Sequence, residues 1–407
     1  MKTLRPARFL DRSTPPHITT LVLMAGLSAM ALNVFLPALP DMATHFGTDY
    51  KVMQLSVGIF LAVNAVLQII IGPLSDRYGR RPVIMVGTGT FMIATVFAIY
   101  APSIESFLLM RAAQAGIVTG MVLSRAIVRD IAPAESAGSM IAYVTMGMAV
   151  VPMLAPTVGG YLSQAFGWQA NFWLLLMASG ALMVLFYFDL GETAPDSGGR
   201  TLSETFRAFP EILTSKRFLG YAFSTAFASG AFFAYLGGAP FVGSTLFGLT
   251  EDKLGLYMGA PALGYFFGNF LAGRYSHKVG MNNMVLIGAV IVTAGLLASL
   301  ALDASGHATA ETFFGFMVLL GFGNGMQLPN AIAGSLSVVR PELVGSASGL
   351  GGTLMIGGGA ILSALAGSVL SEDTGATPLL LIMCAAAFAS ILAILWVIQR
   401  EKRLALS

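Results

Sequence analysis

Twelve apolar stretches, each near the roughly 20 residues that carry a helix across a hydrocarbon core, follow one another along this chain with mostly short polar loops between them. In hydrocarbon every peptide group must be satisfied within the chain, so such a sequence is expected to fold as an all-α membrane protein of twelve transmembrane helices. The approximate cores are 18–39, 52–72, 82–101, 105–128, 137–162, 169–189, 218–243, 254–273, 283–302, 312–337, 345–369 and 377–399. The composition agrees, with 10% of the 407 residues charged where a soluble domain carries about a quarter. The first stretch lacks a small-residue cleavage site and is expected to stay as a membrane helix.

The placement of charge sets the orientation. With a cytoplasmic amino terminus, the inner loops and tails hold eighteen Lys and Arg, and the outer loops hold only Lys51 and Lys253. Both termini are therefore expected in the cytoplasm. One long polar connection, 191–217, divides a first half, 1–190, from a second, 218–407, each with six spans. The halves repeat. Gly72-Pro-Leu-Ser-Asp-Arg-Tyr-Gly79 after helix two is matched 201 residues later by Gly273-Arg-Tyr-Ser-His-Lys-Val-Gly280. Gly120-Met121 is likewise matched by Gly325-Met326, and Pro133 by Pro341. The repeat predicts two pseudo-symmetric six-helix bundles that surround a central site and rock about it.

The loop from Gly72 to Arg81 sets one acid and three bases among two glycines and a proline. Glycine permits tight turns, and the charges suit helix ends. Plain positive-inside anchoring requires neither Asp76 nor the glycine spacing. The run resembles the G-x-x-x-D-R-x-G-R-R signature of the major facilitator superfamily, matched at Gly72, Asp76, Arg77, Gly79, Arg80 and Arg81. The resemblance implies a gate. Its aspartate would face the start of helix eleven near Gly345, and its arginines would pair with an acid at the foot of helix four, here Asp130.

At 100° per residue, Arg111, Gln114, Val118, Arg125 and Arg129 of helix four fall within about 60° of one another, and Arg111 and Arg125 lie about 21 Å apart. A cation in hydrocarbon marks a pathway or a paired network. For Arg125 and Arg129, reaching the surface along their own stems is the equal alternative. Arg111-Ala-Ala-Gln114-Ala-Gly116 resembles the R-x-x-Q-G motif of proton-coupled drug exporters, with Ala115 replacing a glycine. That resemblance implies a role for Arg111 in proton coupling.

Helix five combines Pro152 and Pro156 with Gly159 and Gly160, so it is expected to be kinked and tightly packed. The segment resembles the G-x-x-x-G-P-x-x-G-G motif of antiporters, with Val151 and Ala155 in place of glycines.

Helix one, with Asn33, Pro37, Pro40 and Asp41, joins Arg125–Asp130 and Gly167–Trp173 in resembling the bicyclomycin and chloramphenicol resistance branch of the drug:proton antiporters. That branch usually carries aspartate where Asn33 stands. Asparagine can hydrogen-bond a ligand but carries no titrating proton. Asp41 and Asp130 remain as candidates for a proton relay. In the second half, Tyr235, Tyr265, Asn324, Gln327 and Asn330 offer aromatic and amide contacts to an amphipathic ligand, with lipid-facing positions the alternative for the aromatics.

No enzyme constellation is visible. The four histidines, His17, His45, His277 and His307, are scattered, and there is no G-x-x-x-x-G-K-[ST] phosphate loop. The lone Cys384 allows neither an internal disulfide nor a cysteine-based metal site. The expectation is a monomeric transporter of a bacterial inner membrane, without cofactor or nucleic-acid partner, that exports hydrophobic or amphipathic small molecules in exchange for protons. Export of an endogenous metabolite and a non-transporting sensor are the alternatives. In the second-half repeat, His277 stands for Asp76, and Met281 and Asn282 stand for Arg80 and Arg81, so the gate is one-sided. Asp76→Asn should impair transport in proteoliposomes while His277→Asn leaves it unchanged; equal loss in both would show the asymmetry to be misread.

Overall fold

The computed structural model describes residues 7–131, 151, 154–194, 202–340, 343–371 and 373–405, and every regular element among them is helical. Pro133, Pro152, Pro341 and the side chain of Arg129 lie outside the described residues. The first half contains α1 (Ile18–His45), α2 (Tyr50–Tyr78), α3 (Arg80–Ile99), α4 (104–131), α5 (described over 154–166) and α6 (Gln169–Asp189). The second contains α7 (Lys216–Leu246), α8 (Ala260–Val279), α9 (Met281–Ala304), α10 (Ala310–Ser337), α11 (Val344–Val369) and α12 (Thr377–Ala405). Eleven of the predicted stretches fall on helices, and of the fifth, 137–162, the described residues 151 and 154–162 are helical. Among the described residues, nine helices are long and apolar enough to cross a membrane by themselves.

Two shorter helices lie outside this set. Glu251–Met258 precedes α8 and is separated from it by Gly259, and Leu202–Thr214 occupies the predicted linker. The linker helix packs Ala208 and Ile212 onto Leu343, Ala347 and Leu350 at the start of α11.

The repeat is visible in the backbone. Gly79 joins α2 to α3 at φ 95° and ψ 150°, and Gly280 joins α8 to α9 at φ 87° and ψ 144°. A side chain at such positive φ is strained, so both repeats keep glycine there. The entries to α4 and α10 also match, because Ser103 with Ser106 and Thr309 with Thr312 each close a reciprocal capping box.

Proline breaks α1 where the chain comes to need it. Pro37 cannot donate to the Asn33 carbonyl, and the ladder gives way to a 3₁₀ turn, Leu36–Ala38, before helix resumes at Leu39. Elsewhere glycines let helices touch backbone to backbone. Any Cβ on Gly264 would overlap the Val318 carbonyl, and one on Gly321 would overlap the Pro261 carbonyl, which fixes the α8–α10 crossing.

The end that carries the termini and the Arg80 loop is rich in lysine and arginine; the loops of the opposite end hold only Lys51 and Lys253 beside several acids. At that acidic end, Tyr50 of α2 donates to the Gly237 carbonyl at 2.7 Å, and Gln54 donates to the Ser363 carbonyl of α11 at 2.6 Å. The described part of α5 also meets the 251–258 helix there, since a Cβ on Gly255 would overlap the Pro156 carbonyl. The two halves are closed on that side. At the basic end, Gly72 of α2 and Gly345 of α11 each face open space within 4 Å of where a Cβ would stand.

Overpacking a close helix contact costs about 1–3 kcal/mol. Gly321→Ala should therefore lower the melting temperature of the purified protein, while Gly315→Ala on the same helix, where a Cβ meets nothing within 4 Å, should leave it unchanged.

Candidate functional site

Arg80 organises the basic end. Its buried guanidinium donates to Asp130 Oδ2 at 3.1 Å and also engages Asp76, one helical turn earlier in sequence, and Ser75. The fork of an arginine suits this triple contact. The expected pairing of the loop with Asp130 is thus present in the geometry. The Asp76 carboxylate is turned onto Arg80 of its own half, because the Gly79 turn folds the start of α3 back against the end of α2.

Sequence reasoning missed the third acid of this cluster. Glu192, just beyond α6, accepts from the Arg80 amide at 2.8 Å and from the Arg81 amide at 3.3 Å, so it caps the N-terminus of α3. The Arg81 guanidinium lies over the Tyr187 ring at 5.9 Å, and Arg77 lies over its neighbour Tyr78 at 5.3 Å. An acid directly after an apolar helix, as in Leu190-Gly191-Glu192, was the available signal. Asp189 was also missed as an anchor: fully buried, it accepts from the amides of Leu10 and His17 and from the Thr20 hydroxyl, at 2.7, 3.0 and 2.6 Å.

Arg111 is completely buried inside the first half. Its guanidinium lies between the rings of Phe35 and Phe60, 4.4 and 4.8 Å from their centroids. It donates to the Gln114 side chain at 2.5 Å, to the Ala31 carbonyl at 3.4 Å and to the Ser56 carbonyl at 3.4 Å. Gln114 in turn donates to Thr95 at 2.8 Å. Among the described residues no carboxylate pairs with this cation; carbonyl dipoles and ring faces hold it instead. Asn33 lies on α1 close by in sequence to the Ala31 and Phe35 contacts, buried, its Nδ2 donating to the Ala29 carbonyl at 2.7 Å. Its Oδ1 has no partner among the described residues.

The predicted stripe on α4 is divided by depth. A 3₁₀ turn at Ala115–Ile117 interrupts the helix. Arg111, Gln114 and Val118 remain buried, whereas Arg125 is exposed. The charge of Arg125 acts on Tyr265 of α8, in the other half.

The other second-half candidates brace their own bundle. Gln327 donates to Asn324 at 2.6 Å and accepts from Ser390 of α12 at 3.3 Å, and Asn324 donates to the Ala228 carbonyl of α7 at 3.3 Å. Asn330 bonds the Met326 carbonyl of its own helix, and the fully buried Tyr235 reaches the Met258 carbonyl at 3.3 Å. In α5, Gly159 admits the Val34 carbonyl and Gly160 the Glu251 carbonyl, both too close for any Cβ. The tight packing expected of this segment is present at Gly159 and Gly160, which form a seam between α1 and the second half.

A sequence profile of the Major Facilitator Superfamily matches residues 21–353 and 235–406. The chain belongs to this superfamily. Multidrug resistance protein D of Escherichia coli (strain K12) is 30% identical to this facilitator over 381 residues, which cover 89% of this chain and 91% of that one. The bicyclomycin resistance protein homolog of Haemophilus influenzae is 27% identical over 397 residues, covering 96% and 98%. A crystal structure of a D-xylose-proton symporter superposes with a TM-score of 0.72 at 15% identity, over 93% of this chain and 96% of that one. The superfamily fold, two pseudo-symmetric six-helix bundles, is thus confirmed.

Lysine offers a point charge in place of the fork that Arg111 uses. Arg111→Lys in this facilitator should retain a melting temperature near that of the wild type yet lose about tenfold in transport rate, a difference of about 1.4 kcal/mol; reconstituted flux measurements check it.

Proposed function

We propose that this facilitator exports hydrophobic or amphipathic small molecules from the cytoplasm of a bacterial inner membrane by alternating access, in exchange for protons. The observation that carries the reading is the near full-length likeness to relatives named for multidrug and bicyclomycin resistance. The geometry supports it. The halves are closed at the acidic end, and the Arg80 cluster sits at the other. Placing the basic end in the cytoplasm follows from the distribution of lysine and arginine.

In this reading 1–190 and 218–407 rock as bodies joined by 191–217, with Asp76, Arg80 and Asp130 setting the inner gate. Arg111 and Asn33 give the first-half wall its polar contacts, and Arg125 and Tyr265 supply a charge and a phenol from opposite halves. Since asparagine at position 33 carries no proton, proton coupling falls to Asp41 and Asp130.

Cells that lack their own exporters and express this chain should accumulate less of several amphipathic antibiotics than control cells. Unchanged accumulation across a broad panel would overturn drug export. In proteoliposomes, collapsing the pH gradient should abolish uphill transport; transport that continues without the gradient would reject proton coupling.

A further inference from the structure

The closed outer end brings together two acids that no motif links. Glu251, in the first turn of the 251–258 helix, belongs to the second half; Asp41, on the last segment of α1, belongs to the first. Their separation is set by backbone packing. The Glu251 carbonyl rests on Gly160 of α5 and the Pro156 carbonyl rests on Gly255, with no room for a side chain at either glycine. Thr157 adds a hydrogen bond to the Gly255 carbonyl at 3.2 Å. Closing the halves therefore forces Glu251 into a half-buried place where it feels the charge of Asp41.

The polar groups behind Glu251 are short of a proton. Ser163 of α5 is within hydrogen-bonding reach of the Glu251 carboxyl and also accepts from Asn171 of α6 at 3.4 Å. Asn171 is fully buried, and its Oδ1 has no partner among the described residues. Burial, and next the negative charge of Asp41, push the Glu251 carboxyl up to about 7, which the Ser163 hydroxyl only partly offsets.

The other charged groups on the elements packed here do not relieve it. His45 follows Asp41 by one turn and stacks on Trp168 at 5.3 Å, and Glu311 at the head of α10 accepts from Tyr257. Asp252 and Lys253 follow Glu251 on its own helix, and the described part of α5 carries no charged residue. None of these cations is among the groups that act on Glu251.

We propose that Glu251 is a proton-binding latch on the outer gate, in which a proton on its half-buried carboxyl, under the charge of Asp41, keeps the halves closed and its loss opens them. The proposal rests on the orientation proposed above, which places this end outside. It identifies a proton site that faces the outer medium and is separate from Asp76, Asp130 and Arg111. Its sign follows from linkage. A carboxyl whose affinity for a proton is higher in the closed form leaves closure unopposed at pH below its ordinary value near 4.5. The opposition grows as the pH rises and is complete above about 7. For a half-exposed group the bias is on the order of tenfold to a hundredfold in the ratio of open to closed.

The test uses the full chain in lipid nanodiscs with Cys384→Ala as background and spin labels on cysteines placed at the exposed Thr44 and Thr245. In the parent protein, the population with a long label-to-label distance should rise about tenfold or more between pH 5 and pH 8. Glu251→Gln should stay at the short distance throughout, and Asp41→Asn should show a smaller rise. Glu311→Gln, which alters an acid at the same end, should respond as the parent does. A parent distance indifferent to pH, a Glu251→Gln protein that opens as the parent does, or a Glu311→Gln protein that loses the response would each overturn the latch. No drug and no flux enter the measurement, so failure of the export reading leaves its outcome unaffected.

Discussion

A peptide carbonyl of one helix resting on a glycine of the next is the contact on which the arrangement depends. Helices in lipid gain nothing from hiding apolar side chains from one another, so association depends on close packing and polar contact. Here the backbones touch at Val34 and Gly159, at Pro261 and Gly321, at Val318 and Gly264, and, between the halves, at Pro156 and Gly255. Each contact fixes a distance that a flexible side chain would leave adjustable. The side chains nearby inherit that precision, which is how Glu251 comes to lie half-buried against the first half.

Charge is handled differently at the basic end and in the interior. At the basic end the buried Arg80 joins two carboxylates. Inside, Arg111 is held by two ring faces, two carbonyls and an amide. A cation solvated by dipoles instead of a counter-charge keeps its field, and that field extends to any anionic or strongly dipolar group that approaches. The break of α1 after Asn33 frees carbonyls in the same region, so the first-half wall combines a positive charge with acceptors.

Much of this was legible in the sequence because it depends on local pattern. The apolar stretches, where described, fell on helices, and the glycine at 79 and its repeat at 280 take the same conformation. The pairing of Arg80 with Asp130 followed from the motif. What was not legible depends on depth or on distant partners. Helical phase put Arg111 and Arg125 on one stripe, yet depth separates them, Arg111 sealed inside the bundle and Arg125 exposed. Asn324 and Gln327 were read as cavity groups because an amide in a membrane helix suggests a ligand, yet their partners are Ala228 and Ser390 on other helices. Glu192, Glu251 and Ser163 carry no motif, and their neighbours lie far away along the chain.

The buried Asp189 carries a consequence for biosynthesis. It closes a loop of 179 residues back to the Leu10 amide, so the first and sixth helices are tied at their basic ends by groups that all precede the linker. Every partner in that tie has been translated before the seventh helix emerges, and domains generally fold as units during synthesis. The first bundle can therefore seal its ring alone, and the second inserts beside a finished wall.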